Sequence, residues 1–197
     1  MEAKFNFKLE TRNLVSAAHA MPNDLSRVCL HGVHICRNGT LGAIVATDGH
    51  MLIKIECDIP EEIKFTLPYK AVSMLCELYR RQGKKQKAFS KFEVRLNEGQ
   101  TEYEVELDQV VVKGNTVDVA FPDWKRVVPN SELALGLNRL LSVNANLLVE
   151  LQSSVRVLFP DRKLAPIAMA ISGETDPIRL ECSYVPQWQA VLMPMRY

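Results

Sequence analysis

One order of elements governs this chain: a strand, a helix and a run of strands come round three times, at intervals of roughly 60 to 65 residues. A unit of that make-up cannot cover its own apolar faces, so copies must pack on one another, and an α+β architecture of about three such units follows. In the first unit, residues 5–9 alternate as a strand and Thr11 stands as an N-cap. Leu14, Ala17, Ala18 and Met21 share one face of a helix over 13–21. Strands are expected at 28–36, 43–47 and 51–57, turned by Arg37-Asn38-Gly39 and Asp48-Gly49-His50, whose Asn, Asp and Gly residues accept positive φ.

The second unit repeats the order. A strand at 62–66 leads to Pro68, which opens a helix whose Val72, Leu75 and Tyr79 lie three and four apart, and Gly83 ends it. Strands at 91–96, 101–107 and 110–113 follow, joined at Asn97-Glu98-Gly99 and Asp108-Gln109. In the third unit the pattern predicts a strand at 133–137 and a helix around 139–148. Strands at 154–159, 165–171, 177–182 and 188–193 complete it, between Pro160, Gly173, Pro177 and Pro186. Before that unit, residues 121–129 carry Phe121, Pro122, Trp124, Lys125, Arg126 and Pro129, which suits an extended connector laid on a surface.

Composition bounds the setting. With 197 residues, 47% hydrophobic, the chain can bury a real core as one large or two small domains. Lys and Arg number 24 against 23 Asp and Glu, so any contact with nucleic acid must come from local charge. The five cysteines form no CxxC pair and have no His at zinc-finger spacing, which reads as reduced thiols. No run reaches the ~18 apolar residues of a membrane span and the N-terminus is not signal-like, so a cytoplasmic protein without a membrane partner is expected. His19, His31, His34 and His50 show no metal-ligand spacing, and no nucleophile-elbow, phosphate-loop or zinc-protease motif occurs. A protein that is not an enzyme, with no cofactor and no metal, is expected.

The last nine residues, Gln189 to Tyr197, end the chain on a strand that runs into an apolar, Pro-fixed, cation-tipped tail. Side chains alternate along a strand, so Val191, Leu192, Met193 and Met195 cannot all face one way, and some of them are expected to line a groove. The same residues taken singly suit a core equally well.

Three segments carry a family resemblance: Val45-Ala46-Thr47-Asp48-Gly49-His50-Met51-Leu52, the connector at 121–129 and the tail at 191–197 resemble signature segments of the bacterial DNA polymerase III β sliding clamp family. The resemblance implies a DNA-clamp fold, with antiparallel sheets outside and helices inside. It divides the chain into a full clamp-like domain over 1–129 (units at about 1–60 and 61–120, then the connector) and a half domain over 130–197. In length the chain departs from the family, whose members carry three domains. By resemblance the three segments form an apolar pocket for the short clamp-binding peptides of polymerases and other replication and repair proteins. Leu30, Thr47, Gly49, His50, Met51 and Leu52 map to one side, Pro122, Arg126 and Val127 to the connector side, and Val191, Leu192, Met193, Pro194, Met195 and Arg196 to the tail side. Met51 stands where the family often has Arg, which implies a more apolar rim.

DNA is the second implied partner. Residues 79–87 hold five cations without an acid, a density that attracts phosphates. Lys70, Arg80, Arg81, Lys84, Lys85 and Lys87 are expected to meet a duplex backbone without reading bases, and Arg27 resembles a family position near DNA. Cations at a helix end also favour its dipole, so a merely solvated helix end accounts for each of them singly. The resemblance further implies a clamp loader and a homo-oligomeric ring. A ring of about twelve half-domains built from chains of about three closes with about four copies, a tetramer. The alternative is a clamp-like adaptor or decoy that binds clamp-binding peptides without forming a ring.

Overall fold

The computed structural model describes residues 3–22, 27–37, 40–60, 63–128, 142–160, 166–173 and 175–195. The first unit is β1 (Phe5–Glu10), α1 (Thr11–Ala17), β2 (Gly32–Arg37), β3 (Gly42–Thr47) and β4 (Met51–Cys57). The second is β5 (Lys64–Pro68), α2 (Tyr69–Arg81), α3 (Lys84–Phe89), β6 (Lys91–Leu96), β7 (Glu102–Leu107) and β8 (Val110–Asn115). Each unit lends its first strand to the other: β1 pairs with β6 in a sheet ordered β1-β6-β7-β8, and β5 pairs with β2 beside β3 and β4. The exchange locks the two units together, because neither sheet is complete without its neighbour.

The third unit supplies α4 (Ala145–Leu158), β9 (Ala168–Ala170), β10 (Ile178–Glu181) and β11 (Trp188–Leu192). Its β11 pairs antiparallel with β4, so one seven-stranded sheet runs β5-β2-β3-β4-β11-β10-β9. One core holds the inward side chains of both sheets with the apolar faces of α1, α2 and α4. At the joint, Ile53, Ile55, Trp188, Ala190 and Leu192 are all fully buried. Behind it Trp188 donates its indole N–H to Ser154 Oγ at 2.9 Å, and the Ser16 hydroxyl donates to the Ser154 carbonyl at 2.9 Å. The two hydroxyls lie 2.7 Å apart, which leaves the Ser154 hydroxyl proton to Ser16 and satisfies every donor of the cluster.

Several expected elements differ. Residues 154–159 form the second half of α4 through Leu158, because Leu151, Ser154, Val155 and Leu158 bury one helical stripe against α1, and that packing overrides the β-branched alternation. The strand expected from residue 28 begins at Gly32, after a 3-10 turn over Val28–Leu30. Gly32 suits a close approach, since a Cβ there would lie 2.3 Å from the Leu67 carbonyl oxygen. Thr11 is no N-cap: it starts α1 fully buried, its N–H donating to the Ser90 carbonyl and its hydroxyl taking the Ser90 hydroxyl proton at 2.9 Å. The helix opened at Pro68 stops at Arg81, just before Gly83 as expected, but the basic run continues helically, because Gly83 also stands as the N-cap of α3. The strand expected at 133–137 lies outside the described residues. Among the described residues no helix is long and apolar enough to cross a membrane.

On the outer face of the four-stranded sheet, Glu93, Glu104 and Glu106 surround Arg95, and Lys113 reaches Glu104 at 2.6 Å. Hydrogen bonds from Lys113 and Arg95 hold the Glu104 carboxyl below its ordinary range. Glu104 and Glu106 of β7 thus form an ion ladder with Glu93 and Arg95 of β6 and Lys113 of β8 on the solvent side of the sheet.

Candidate functional site

Pairing registers align Thr47 with Leu52, Leu52 with Val191, and Val191 with Arg179, in one row across four strands of the large sheet. Leu52 and Val191 face away from the helices and form a small second core with Ala43 and Val45. Phe121, Trp124 and Val128 of the connector pack on this cluster, which fixes the path of residues 121–128 across the outer face. Phe121 stacks on His34, with ring centroids 4.7 Å apart, and Lys54 sits 6.0 Å from the centre of the Trp124 ring. Connector, β3–β4 turn and tail therefore meet on one surface.

The β3–β4 turn is tightly held. Asp48 Oδ1 accepts the His50 and Met51 N–H groups, each at 2.8 Å, and the Thr47 hydroxyl donates to the Met51 carbonyl at 2.6 Å while accepting the Gly49 N–H. Gly49 has φ +91°, a left-handed conformation open to glycine. Thr47 therefore shapes the turn, its hydroxyl proton already engaged. The tail is tied to the same turn by the Met193 N–H, which donates to the His50 carbonyl at 2.9 Å, and to the segment before α4 by the Met195 N–H, which donates to the Ser142 carbonyl at 2.8 Å. Met193 and Met195 remain 36% and 55% exposed, a polarizable apolar surface beside the row.

Not every residue of the expected pocket joins it. Met51 and Leu192 are corrections: each neighbours a row member in sequence, so the alternation of a strand turns it to the opposite face, where both are buried in the main core. Met51 accordingly forms no rim. Leu30 is buried in the turn before β2, outside both clusters. Arg126 and Val127 lie in the 3-10 turn of the connector, Arg126 with a side chain 83% exposed and Asp123 at 4.0 Å. Pro122 precedes that turn and its carbonyl takes the Trp124 N–H at 2.7 Å. Pro194 lies between the two tethered methionines, and Arg196 is outside the described residues.

Within the segments expected to form the pocket, sequence reasoning did not single out Val45, Phe121, Trp124 and Val128, although Phe121 and Trp124 on either side of Pro122 were a usable signal. It also missed His34. Burial, with a smaller contribution from Lys64, lowers the His34 pKa to about 4, and its ring bonds Thr66 Oγ1 at 3.0 Å under Phe121. Because the folded value lies below the unfolded ~6.5, the unfolded chain binds more protons between those values. Stability contributed by neutral His34 is complete above pH 6.5 and is lost as pH falls toward 4, by about 3 kcal/mol in all. Denaturant melts at pH 7 and pH 5 should show that loss begin, and His34→Gln should flatten the dependence; an unchanged slope in the variant contradicts the assignment.

The helix side carries a different surface. A cleft of about 990 Å³ opens between α1, the α2–α3 elbow and α4, with Arg12, Arg80, Lys84 and Lys87 on its walls. The elbow is pinned by Asp108, which accepts from Gln82 Nε2 at 2.7 Å and Gln86 Nε2 at 3.1 Å. Lys87 lies over the Tyr79 ring and Arg81 pairs with Glu77. Lys70, Arg81 and Lys85 stand outside the cleft, and Arg27 rests against the Asp48 carbonyl at 3.4 Å. Arg12 is a cation of this surface that charge counting along the sequence did not pick out. Among the described residues no group of three His, Cys, Asp or Glu is placed to hold a metal ion.

No protein-family model matches the chain. A β sliding clamp from Haemophilus influenzae is 30% identical over 124 residues, covering 61% of this chain and 32% of that protein, so the match spans about a third of that relative's length. A DnaN sliding clamp from Bartonella birtlesii bound to griselimycin superimposes with TM-score 0.75 at 18% identity, over all of this chain and 68% of the other. DNA polymerase III subunit β from Borrelia burgdorferi, in complex with a natural product, does so with TM-score 0.77 at 13% identity, over 64% of its length. The sliding clamp of Pseudomonas aeruginosa gives 0.75 at 17% identity over 67%. The fold is that of the β sliding clamps.

Proposed function

We propose, from the premise that this chain is a clamp-like protein of the bacterial DNA polymerase III β kind, that it is a non-enzymatic cytoplasmic tether. It holds polymerases and other replication or repair proteins by a short apolar peptide and lies along duplex DNA through its helix side. The observation that carries the peptide site is the meeting on the outer face of three segments: the row Thr47–Leu52–Val191, the connector packed over its buried Leu52 and Val191, and the tail with exposed Met193 and Met195. An apolar surface of that kind suits an extended peptide with aliphatic or aromatic anchors, and exposed Met193 and Met195 adapt to varied ones. A fluorescently labelled clamp-binding peptide from a replicative polymerase should bind with saturable anisotropy. Met193→Asp, which puts a charge on the exposed apolar side of the site, should weaken it at least tenfold, and a native protein that leaves the peptide free contradicts the reading.

For DNA the support is the set Arg12, Arg80, Lys84 and Lys87 on the walls of the helix-side cleft, with Lys70, Arg81, Lys85 and Arg27 as outlying cations. Such contacts neutralise phosphates without reading bases, so affinity falls steeply with salt. Reversing Arg80, Lys84 and Lys87 to Glu should abolish duplex binding at ~100 mM salt, whereas charge changes on the opposite, Arg95-bearing sheet face should not. Equal losses from both faces would contradict the placement.

A homo-oligomeric ring opened by a clamp loader completes the proposal, with residues 1–129 as the full domain and 130–197 as the half. In the joint within the chain the last strands of two units pair, β4 with β11; β8, the last strand of the second unit, has no second partner strand among the described residues and leaves Val110 and Val111 exposed. Light scattering at roughly four times the 22.3 kDa chain mass supports closure by about four copies, whereas a monomer that binds the peptide supports the adaptor or decoy reading.

A further inference from the structure

Arg179 ends the row Thr47–Leu52–Val191 on the outer face, directly across from Val191 on β10. Its other strand neighbour is Ala170 of β9, too short to bond it. The side chain is only 14% exposed, and its Nε is buried with no hydrogen-bond acceptor among the described residues. Its acid neighbour is Glu181, whose Oε1 lies 3.4 Å from that Nε, outside bonding geometry, and which also takes a proton from Gln189 at 3.2 Å. A guanidinium presents five donors in a fixed fork, so one buried against an apolar floor with incomplete acceptors is costly until an acceptor arrives. Arg126, the rim cation expected from the connector, is by contrast almost fully hydrated.

We propose that Arg179 determines specificity at the junction site by receiving a carboxylate of the bound peptide. The inference rests on the peptide reading above and narrows its ligand class to apolar peptides carrying an acidic side chain next to their anchors. Carboxylate matches the fork of Arg in two parallel hydrogen bonds, and the site's low hydration strengthens them. Lys54, one row away, is already committed to Glu56 at 2.7 Å and does not compete for the ligand.

The probe is a labelled hexapeptide with Leu and Phe anchors, made with a single Asp stepped through its remaining positions and, for each, the Asn counterpart. The native protein should prefer one Asp peptide over its Asn twin by about tenfold or more, the scale of a charge-assisted hydrogen bond. Arg179→Gln should erase that preference while leaving the Asn peptide within about threefold of native affinity, and Arg179→Lys should keep part of it. Glu181→Gln, which removes the internal competitor and leaves the guanidinium in place, should sharpen the preference; it carries the test if Arg179→Gln fails to fold. Equal affinity for every Asp and Asn pair, unchanged in Glu181→Gln, overturns the role of Arg179 and leaves the peptide site standing. Absence of binding by all the peptides overturns the peptide reading itself, and this inference with it.

Discussion

Trp188→Ala is expected to destabilise the protein by about 3–5 kcal/mol, a large part of the 5–15 kcal/mol that holds a typical domain folded. Trp188 is fully buried at the sheet joint, opposite Ile55, and its removal opens a cavity between the first and third units. The indole N–H also supplies a hydrogen bond to Ser154, whose hydroxyl is shared with Ser16 of α1. Trp188→Phe separates the two contributions, because most of the volume stays while the donor is lost; about 1–3 kcal/mol is expected. Guanidinium melts check both values, and in the Phe variant Trp124 is the remaining tryptophan and reports the connector alone. A loss under about 1 kcal/mol for the Ala variant would mean that the third unit is not folded onto the first.

Deleting residues 193–197 is expected to lower peptide affinity at least tenfold while the fold survives. Val191 and Leu192 stay, so β11 keeps its pairing with β4 and the core is untouched. What disappears are two exposed methionines and two backbone hydrogen bonds, to His50 and Ser142, each contributing about 1 kcal/mol. Duplex binding should be unaffected, because Arg80, Lys84 and Lys87 lie on the other side of the sheet. If the truncated protein unfolds, the tail is core and not a pocket wall.

Most of the fold was legible because local signals agreed. The turn residues between β6, β7 and β8 and the alternation of Phe92, Val94 and Leu96 placed those strands to within a residue or two. The third unit was harder, since Ser154-Val155-Arg156-Val157-Leu158 alternates like a strand and only contact with α1 makes it helical. Its strand register, set by pairing with β4, has no local signature, and for that reason Arg179 stayed invisible. Alternation also tells why the expected pocket was too inclusive: a contiguous segment such as Met51-Leu52 or Val191-Leu192 always offers one residue to each face of the sheet. Resemblance picks out segments, whereas faces come from register.

Hydrogen–deuterium exchange with and without a clamp-binding peptide tests most directly where that peptide sits. Protection is expected in residues 47–52, 121–128 and 188–195, the three segments that converge on the outer face, with α2 and α3 unchanged. Protection confined to α1, α2 and α4, around the helix-side cleft, would contradict the junction site.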